Sequence, residues 1–132
     1  MTDSNAPTVL LVGHCYPDAM MLTSAIRRAI KGARFEKVHS VAEHENKLAG
    51  AALAVVNRVL DGQFASDDGI GLIREFVTHA SGTPLMLVSN LPESQVEALA
   101  AGAAPGFGKS DLNTAETGDR LRAAVARAHT GA

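Results

Sequence analysis

Leu53-Ala54-Val55-Val56-Asn57 is a run of four apolar residues closed by an amide, and its reading decides the fold. Two further runs share its make-up, Val9-Leu10-Leu11-Val12 and Leu85-Met86-Leu87-Val88. None of the three alternates apolar with polar residues. A strand with one solvated face alternates, whereas a strand covered on both faces does not. The runs therefore predict central strands of a parallel sheet. Phe35–His39 reads apolar, charged, charged, apolar, which suits a half-exposed edge strand. A fifth strand near Gly106–Gly108 is placed from context.

Helical spacing fills the intervals. Leu22, Ala25, Ile26, Ala29 and Ile30 mark one face of a helix from near Pro17 to Gly32, with proline at its start and glycine past its end. Ser40 and Glu43 form a capping box for a short second helix. Ile70, Ile73, Phe76 and Val77 mark a third, capped by Asp67 or Asp68. Pro92 opens a fourth that carries Val96, Leu99 and Ala100 on its apolar face and ends at Gly102. Leu121, Ala124, Val125 and Ala128 mark the last. Strict alternation of strand and helix predicts an α/β, doubly wound, five-stranded parallel sheet with a single layer of helices on each face.

A length of 132 residues suits one domain, with an ordered core over about residues 8–129. Met1–Pro7 and Thr130–Ala132 read as loose tails. With 46% apolar and 20% charged residues, the composition is that of a folded globule. A net charge of −2 without a basic stripe gives no support to nucleic-acid binding. No apolar run reaches the length of a membrane span, and the polar start MTDSNAP lacks a signal pattern. A single cysteine, Cys15, excludes an internal disulfide and points to the cytoplasm.

In open α/β sheets the functional crevice lies beyond the carboxyl ends of the strands. That rule selects Gly13, His14 and Cys15 after the first strand, Asn57 after the third, Ser89 after the fourth and Lys109 after the fifth. The set is poor in carboxylates, the nearest being Asp18 and Asp61.

These pieces, spread from Thr8 to Ala128, resemble the response-regulator receiver domain of bacterial two-component signalling. Thr8–Val12 followed by Pro17-Asp18 is similar to its first strand and helix start. Leu53–Val56 with Asn57 is similar to the strand that ends at the phosphoacceptor. Asp68-Gly69-Ile70-Gly71-Leu72 resembles the opening of its third helix. Thr83-Pro84 through Ser89 resembles its fourth strand. Ala101-Gly102-Ala103 with Lys109 resembles the end of its fourth helix and its crevice lysine. The resemblance implies a flavodoxin-like (βα)5 fold. It also implies a site where an acidic pair and an acceptor aspartate bind Mg²⁺, and where a hydroxyl and a lysine contact the phosphoryl group.

The chemistry departs from that pattern. Gly13, His14 and Cys15 stand where the acidic pair is expected, and the loop is one residue longer. Mg²⁺ requires hard oxygen ligands. Asn57 carries an amide, which does not form an acyl phosphate. The loop Arg58–Asp67 is about four residues longer than in the family. Ser110 replaces the proline after the lysine, removing the usual reason for a cis bond. Phe107 lies two residues before Lys109, where the family has an aromatic three before. Together these imply a pseudo-receiver in which aspartyl phosphorylation is lost.

Each crevice residue also has a plainer reading. Asn57 is a strand-end residue that hydrogen-bonds its surroundings. Lys109 points into the crevice and needs Asp61, Asp18 or the Asn57 carbonyl, or else is a surface lysine. His14 and Cys15 make a weak half of a soft-metal site or a weak catalytic pair, against a loop histidine and a small buried thiol. Asp61, Asp67 and Asp68 suit turn and cap chemistry better than a displaced acceptor. Gly106-Phe107-Gly108-Lys109-Ser110 fails as a P-loop because Ala103 stands where the leading glycine is required.

The expectation is a stand-alone signalling domain with no catalytic residue, metal or cofactor. Its partner would be a protein or a second copy, met through about Glu93–Ala104 and Gly118–Arg127, the face that the resemblance implies. The alternative is a small-molecule or anion-binding module using the crevice of Asn57, Ser89, Lys109 and His14.

Overall fold

The computed structural model describes residues 6–64, 66–78 and 82–130. Strands and helices alternate as β1 (Thr8–Val12), α1 (Tyr16–Ala29), β2 (Arg34–Val38), α2 (Val41–Leu48), β3 (Leu53–Asn57), α3 (Gly69–Phe76), β4 (Leu85–Val88), α4 (Pro92–Ala100), β5 (Ala104–Phe107) and α5 (Ala115–Thr130). A 3₁₀ turn at Lys109–Asp111 precedes α5. The sheet is parallel throughout, in the order β2-β1-β3-β4-β5. This is the doubly wound arrangement the alternation predicts, in the flavodoxin-like form the resemblance implies.

The apolar runs divide their side chains between two cores. Val9, Leu11, Leu53, Val55, Met86 and Val88 pack with Leu22 and Ile26 of α1 and Leu121 and Ala124 of α5. Leu10, Val12, Ala54, Val56, Leu85 and Leu87 pack on the other face with Leu48, Ile73, Phe76 and Ala98, from α2, α3 and α4. Successive residues of a strand point to opposite faces, so a strand covered by helices on both sides must be apolar at every position. Edge strand β2, with exposed Glu36 and Lys37, is the exception the sequence anticipates.

Several boundaries move. Helix α1 stops at Ala29, and Gly32 (φ +81°) lies in the turn beyond it. Pro7 is no loose tail, because its carbonyl accepts the Arg34 N–H and extends the ladder to β2. Thr130 ends α5 rather than starting a tail. Residues 1–5, 131 and 132 and the side chain of Ala128 lie outside the described residues. Asp68, not Asp67, caps α3, its carboxylate accepting the Ile70 N–H.

Helix α4 corrects a larger expectation. Val96 and Leu99 do not face the core: they are 66% and 48% exposed, while Ser94 and Ala98 are buried. The cause is Gln95. Its Nε2 donates to the carbonyls of Leu87, Ser89 and Phe107, bridging β4 and β5 where their register shifts. A Cβ at Gly106 would come within 2.7 Å of the Gln95 side chain and 2.2 Å of the Leu87 carbonyl. With Ser94, Gln95 and Ala98 on the inner face, Val96 and Leu99 are turned outward.

Candidate functional site at the carboxyl ends of the strands

At the end of β1, Gly13 takes φ +74°, and a Cβ there would lie 2.6 Å from Leu60 Cδ2. Leu60 belongs to the long loop after β3. It is buried in the α2–α3 core, and its N–H donates to the Asp67 carbonyl. The same loop pairs with Ser40 through Gln63, whose N–H donates to the His39 carbonyl. Phe64 packs against that core as well. The loop is therefore folded onto the sheet end, against Gly13.

Asn57, the last residue of β3, donates from Nδ2 to the carbonyls of Gly13 (3.1 Å) and Val59 (2.9 Å). Two carbonyl acceptors fix the orientation of the amide. The Gly13 carbonyl also accepts the Asp61 N–H. Asn57 thus ties the β1 turn to the β3 loop. Its own carbonyl lies against α3, where a Cβ at Gly69 would meet it at 2.0 Å. That contact explains the Asp68-Gly69 opening of α3.

The sequence places His14 in the crevice, and the structure moves it inward. Its side chain is 1% exposed, and Nε2 donates to the Val55 carbonyl at 2.9 Å. Burial outweighs this hydrogen bond and, with the Lys109 charge nearby, pushes the imidazole down to about 4. His14 is therefore neutral at pH 7, carries its proton on Nε2, and leaves Nδ1 buried without a partner among the described residues. Phe107 is likewise no crevice residue: it is buried in the α1–α5 core, where its position on β5 directs it. Asp61 is exposed and joins the site through its backbone alone.

Lys109 resolves its three possible partners in favour of Asp18, in the first turn of α1. The Lys109 ammonium, with the Cys15 thiol as a second donor, holds the Asp18 carboxyl below the usual carboxylate range. Cys15 is partly exposed rather than buried. Among the described residues, no three His, Cys, Asp or Glu side chains converge as metal ligands would.

The other half of the strand ends is open. A cleft of about 410 Å³ is lined by Asn57, Arg58, Val59, Val88, Ser89, Asn90, Leu91 and Lys109. Ser89 Oγ accepts the Leu91 N–H at 3.1 Å. Asn90 Oδ1 accepts the Ser110 N–H at 3.0 Å, and this side chain fills the space that a Cβ at Gly108 would need. Of the residues selected from the sequence, only Asn57, Ser89 and Lys109 line this cleft. Gly13, His14, Cys15, Asp18, Asp61 and Phe107 do not. Arg58, Val59, Val88, Asn90 and Leu91 are the additions, and the place of Arg58 directly after β3 and of Asn90 two residues past β4 was the signal available for the polar pair.

No family model matches this sequence, and no curated protein does. Solved structures do resemble the fold. A putative response regulator from Chloroflexus aurantiacus J-10-fl aligns with a TM-score of 0.75 at 19% identity, over 92% of this chain and 99% of that one. The signal receiver domain of a DNA-binding response regulator from Colwellia psychrerythraea 34H gives 0.72 at 16% identity, over 91% and 98%. A CheY-like response regulator receiver domain protein from Methanospirillum hungatei JF-1 gives 0.68 at 16% identity, over 96% and 99%. At such identities the likeness is one of fold, and the fold is that of receiver domains.

Proposed function

We propose that this chain is a receiver-type signalling domain that acts through protein contacts and forms no aspartyl phosphate. The observation that carries the reading is the Asn57 amide, whose two hydrogens are both engaged by the carbonyls of Gly13 and Val59. The group at the acceptor position is neutral, weakly nucleophilic and built into the loop. The donor set does not fit Mg²⁺ either. Gly13 has no side chain, Leu60 occupies the space beside it, and His14 faces the Val55 carbonyl. Of the two nearest carboxylates, Asp18 is paired with Lys109 and Asp61 is exposed. In this reading Lys109 is held by α1 in a single state, so the domain works as a constitutive contact module. Outward-facing Val96 and Leu99 on α4 favour a partner surface over Glu93–Ala104, continued by Gly118–Arg127 of α5.

Incubation with Mg²⁺ and acetyl phosphate tests the proposal. The expected outcome is an unchanged intact mass and unchanged amide NMR peaks on adding beryllofluoride. A stoichiometric, acid-labile phosphoryl adduct overturns it.

A further inference from the structure

We infer that the open half of the strand ends is a non-covalent site for a small phosphate monoester with an apolar body, anchored by Arg58. The ligand is not attached to position 57 and needs no metal, so the site stands apart from the signalling reading above.

Of the groups lining the cleft, Arg58, Ser89 and Asn90 keep hydrogens to donate, and Asn57 Oδ1 is an acceptor beside them. Arg58 is only partly exposed, and its guanidinium has no hydrogen-bond or ion-pair partner among the described residues. A guanidinium drawn partly out of water without a counter-charge is costly, and it offers the bidentate fork that suits phosphate. Ser89 Oγ has accepted the Leu91 N–H, which leaves its own hydrogen to donate. Asn90 Oδ1 has accepted the Ser110 N–H, which leaves both Nδ2 hydrogens. Asn57 adds no donor, since both of its hydrogens are engaged, and Lys109 is neutralised by Asp18. Arg58 is thus the unneutralised cation of the cleft.

Its size and rim indicate more than an inorganic ion. About 410 Å³ lies within the range of small-molecule sites, roughly 300–1,000 Å³. Val59 and Leu91, which line the cleft, are 49% and 44% exposed. An oxyanion at Arg58, Ser89 and Asn90 would leave its ester group against these two side chains.

Phenyl phosphate is the probe, titrated into the ¹⁵N-labelled chain in EDTA so that no metal-dependent chemistry contributes. The expected result is a saturable shift centred on Arg58–Val59 and Ser89–Leu91, with tighter binding than inorganic phosphate. Arg58→Met keeps the apolar stem and removes the charge. It should weaken phenyl phosphate at least tenfold while leaving peaks remote from the cleft in place. A flat titration overturns the site, as does one that Arg58→Met leaves unchanged. Equal affinity for inorganic phosphate overturns the role of the apolar rim. Intact mass after dialysis separates this outcome from the phosphorylation test, because a reversible ligand leaves no adduct.

Discussion

Where the β1 end meets the loop after β3 the chain is closed by amide and backbone hydrogen bonds, whereas between the ends of β3 and β4 a cleft lined by Arg58, Ser89 and Asn90 stays open. In the first half the Gly13 carbonyl receives the Asn57 amide and the Asp61 N–H, Leu60 fills the remaining space, and His14 turns inward. In the second half Arg58, Ser89 and Asn90 border an open cleft. The loop between β3 and α3 folds down over the β1 end, and the pairing of Gln63 with Ser40 holds it there.

The contrast breaks most readily at Gly13. Alanine at φ +74° is strained, and its Cβ would meet both the side chain and the Cα of Leu60. Backbone strain and overpacking together should cost about 4 kcal/mol, read as a lowered urea midpoint. The second arm is Leu60→Ala. It should cost about 1 kcal/mol less in the Gly13→Ala background than in the native chain, because it relieves the clash. Strictly additive costs would mean that Leu60 does not close this end.

The next effect is one of pH. The His14 imidazole is lowered from 6.5 to about 4 in the folded chain, chiefly by burial. Between those values the unfolded chain binds a proton that the folded chain refuses, so stability falls as pH drops through that window. The loss approaches about 3 kcal/mol near pH 4 and vanishes above pH 6.5. Asp18, with its carboxyl held low by Lys109, adds acid sensitivity at lower pH. His14→Gln should flatten the slope between pH 6.5 and 4 in denaturation curves. An unchanged slope would place the histidine in solvent and reopen the closed half.

How much of this was legible follows from what each residue type reports. Continuous apolar runs report burial on both faces, so the sheet and its layers could be read from Val9–Val12, Leu53–Val56 and Leu85–Val88. The strand-end rule located Asn57, Ser89 and Lys109. It failed for His14, because a polar residue after a strand is ordinarily solvated and nothing local signals an inward turn toward Val55. It passed over Arg58 because the direction of a side chain past a strand end depends on the loop path. Val96 and Leu99 were misassigned for a related reason. Apolar spacing identifies the core face of a helix only when the inward positions are themselves apolar, and here Gln95 takes one of them to bond the carbonyls of Leu87 and Phe107.

The smallest effect tests whether the two halves are independent. Asn57→Asp introduces a carboxyl group and removes both amide hydrogens, so a carboxylate would face the carbonyls of Gly13 and Val59. Two lost hydrogen bonds at a partly exposed site should cost about 2 kcal/mol. The introduced carboxyl is expected to titrate above its unfolded value, because the protonated form can still donate one hydrogen and the ionised form is repelled. Its protonated form is thus favoured in the folded chain at low pH. That advantage disappears as pH rises through the folded value, the reverse of the His14 trend. The penalty relative to the native chain should therefore grow with pH, as seen in paired urea titrations. Phenyl phosphate binding, centred on Arg58, Ser89 and Asn90, should change far less than stability does. If instead the substitution restored phosphorylation and left stability untouched, the closed half would be a receiver site lacking one residue.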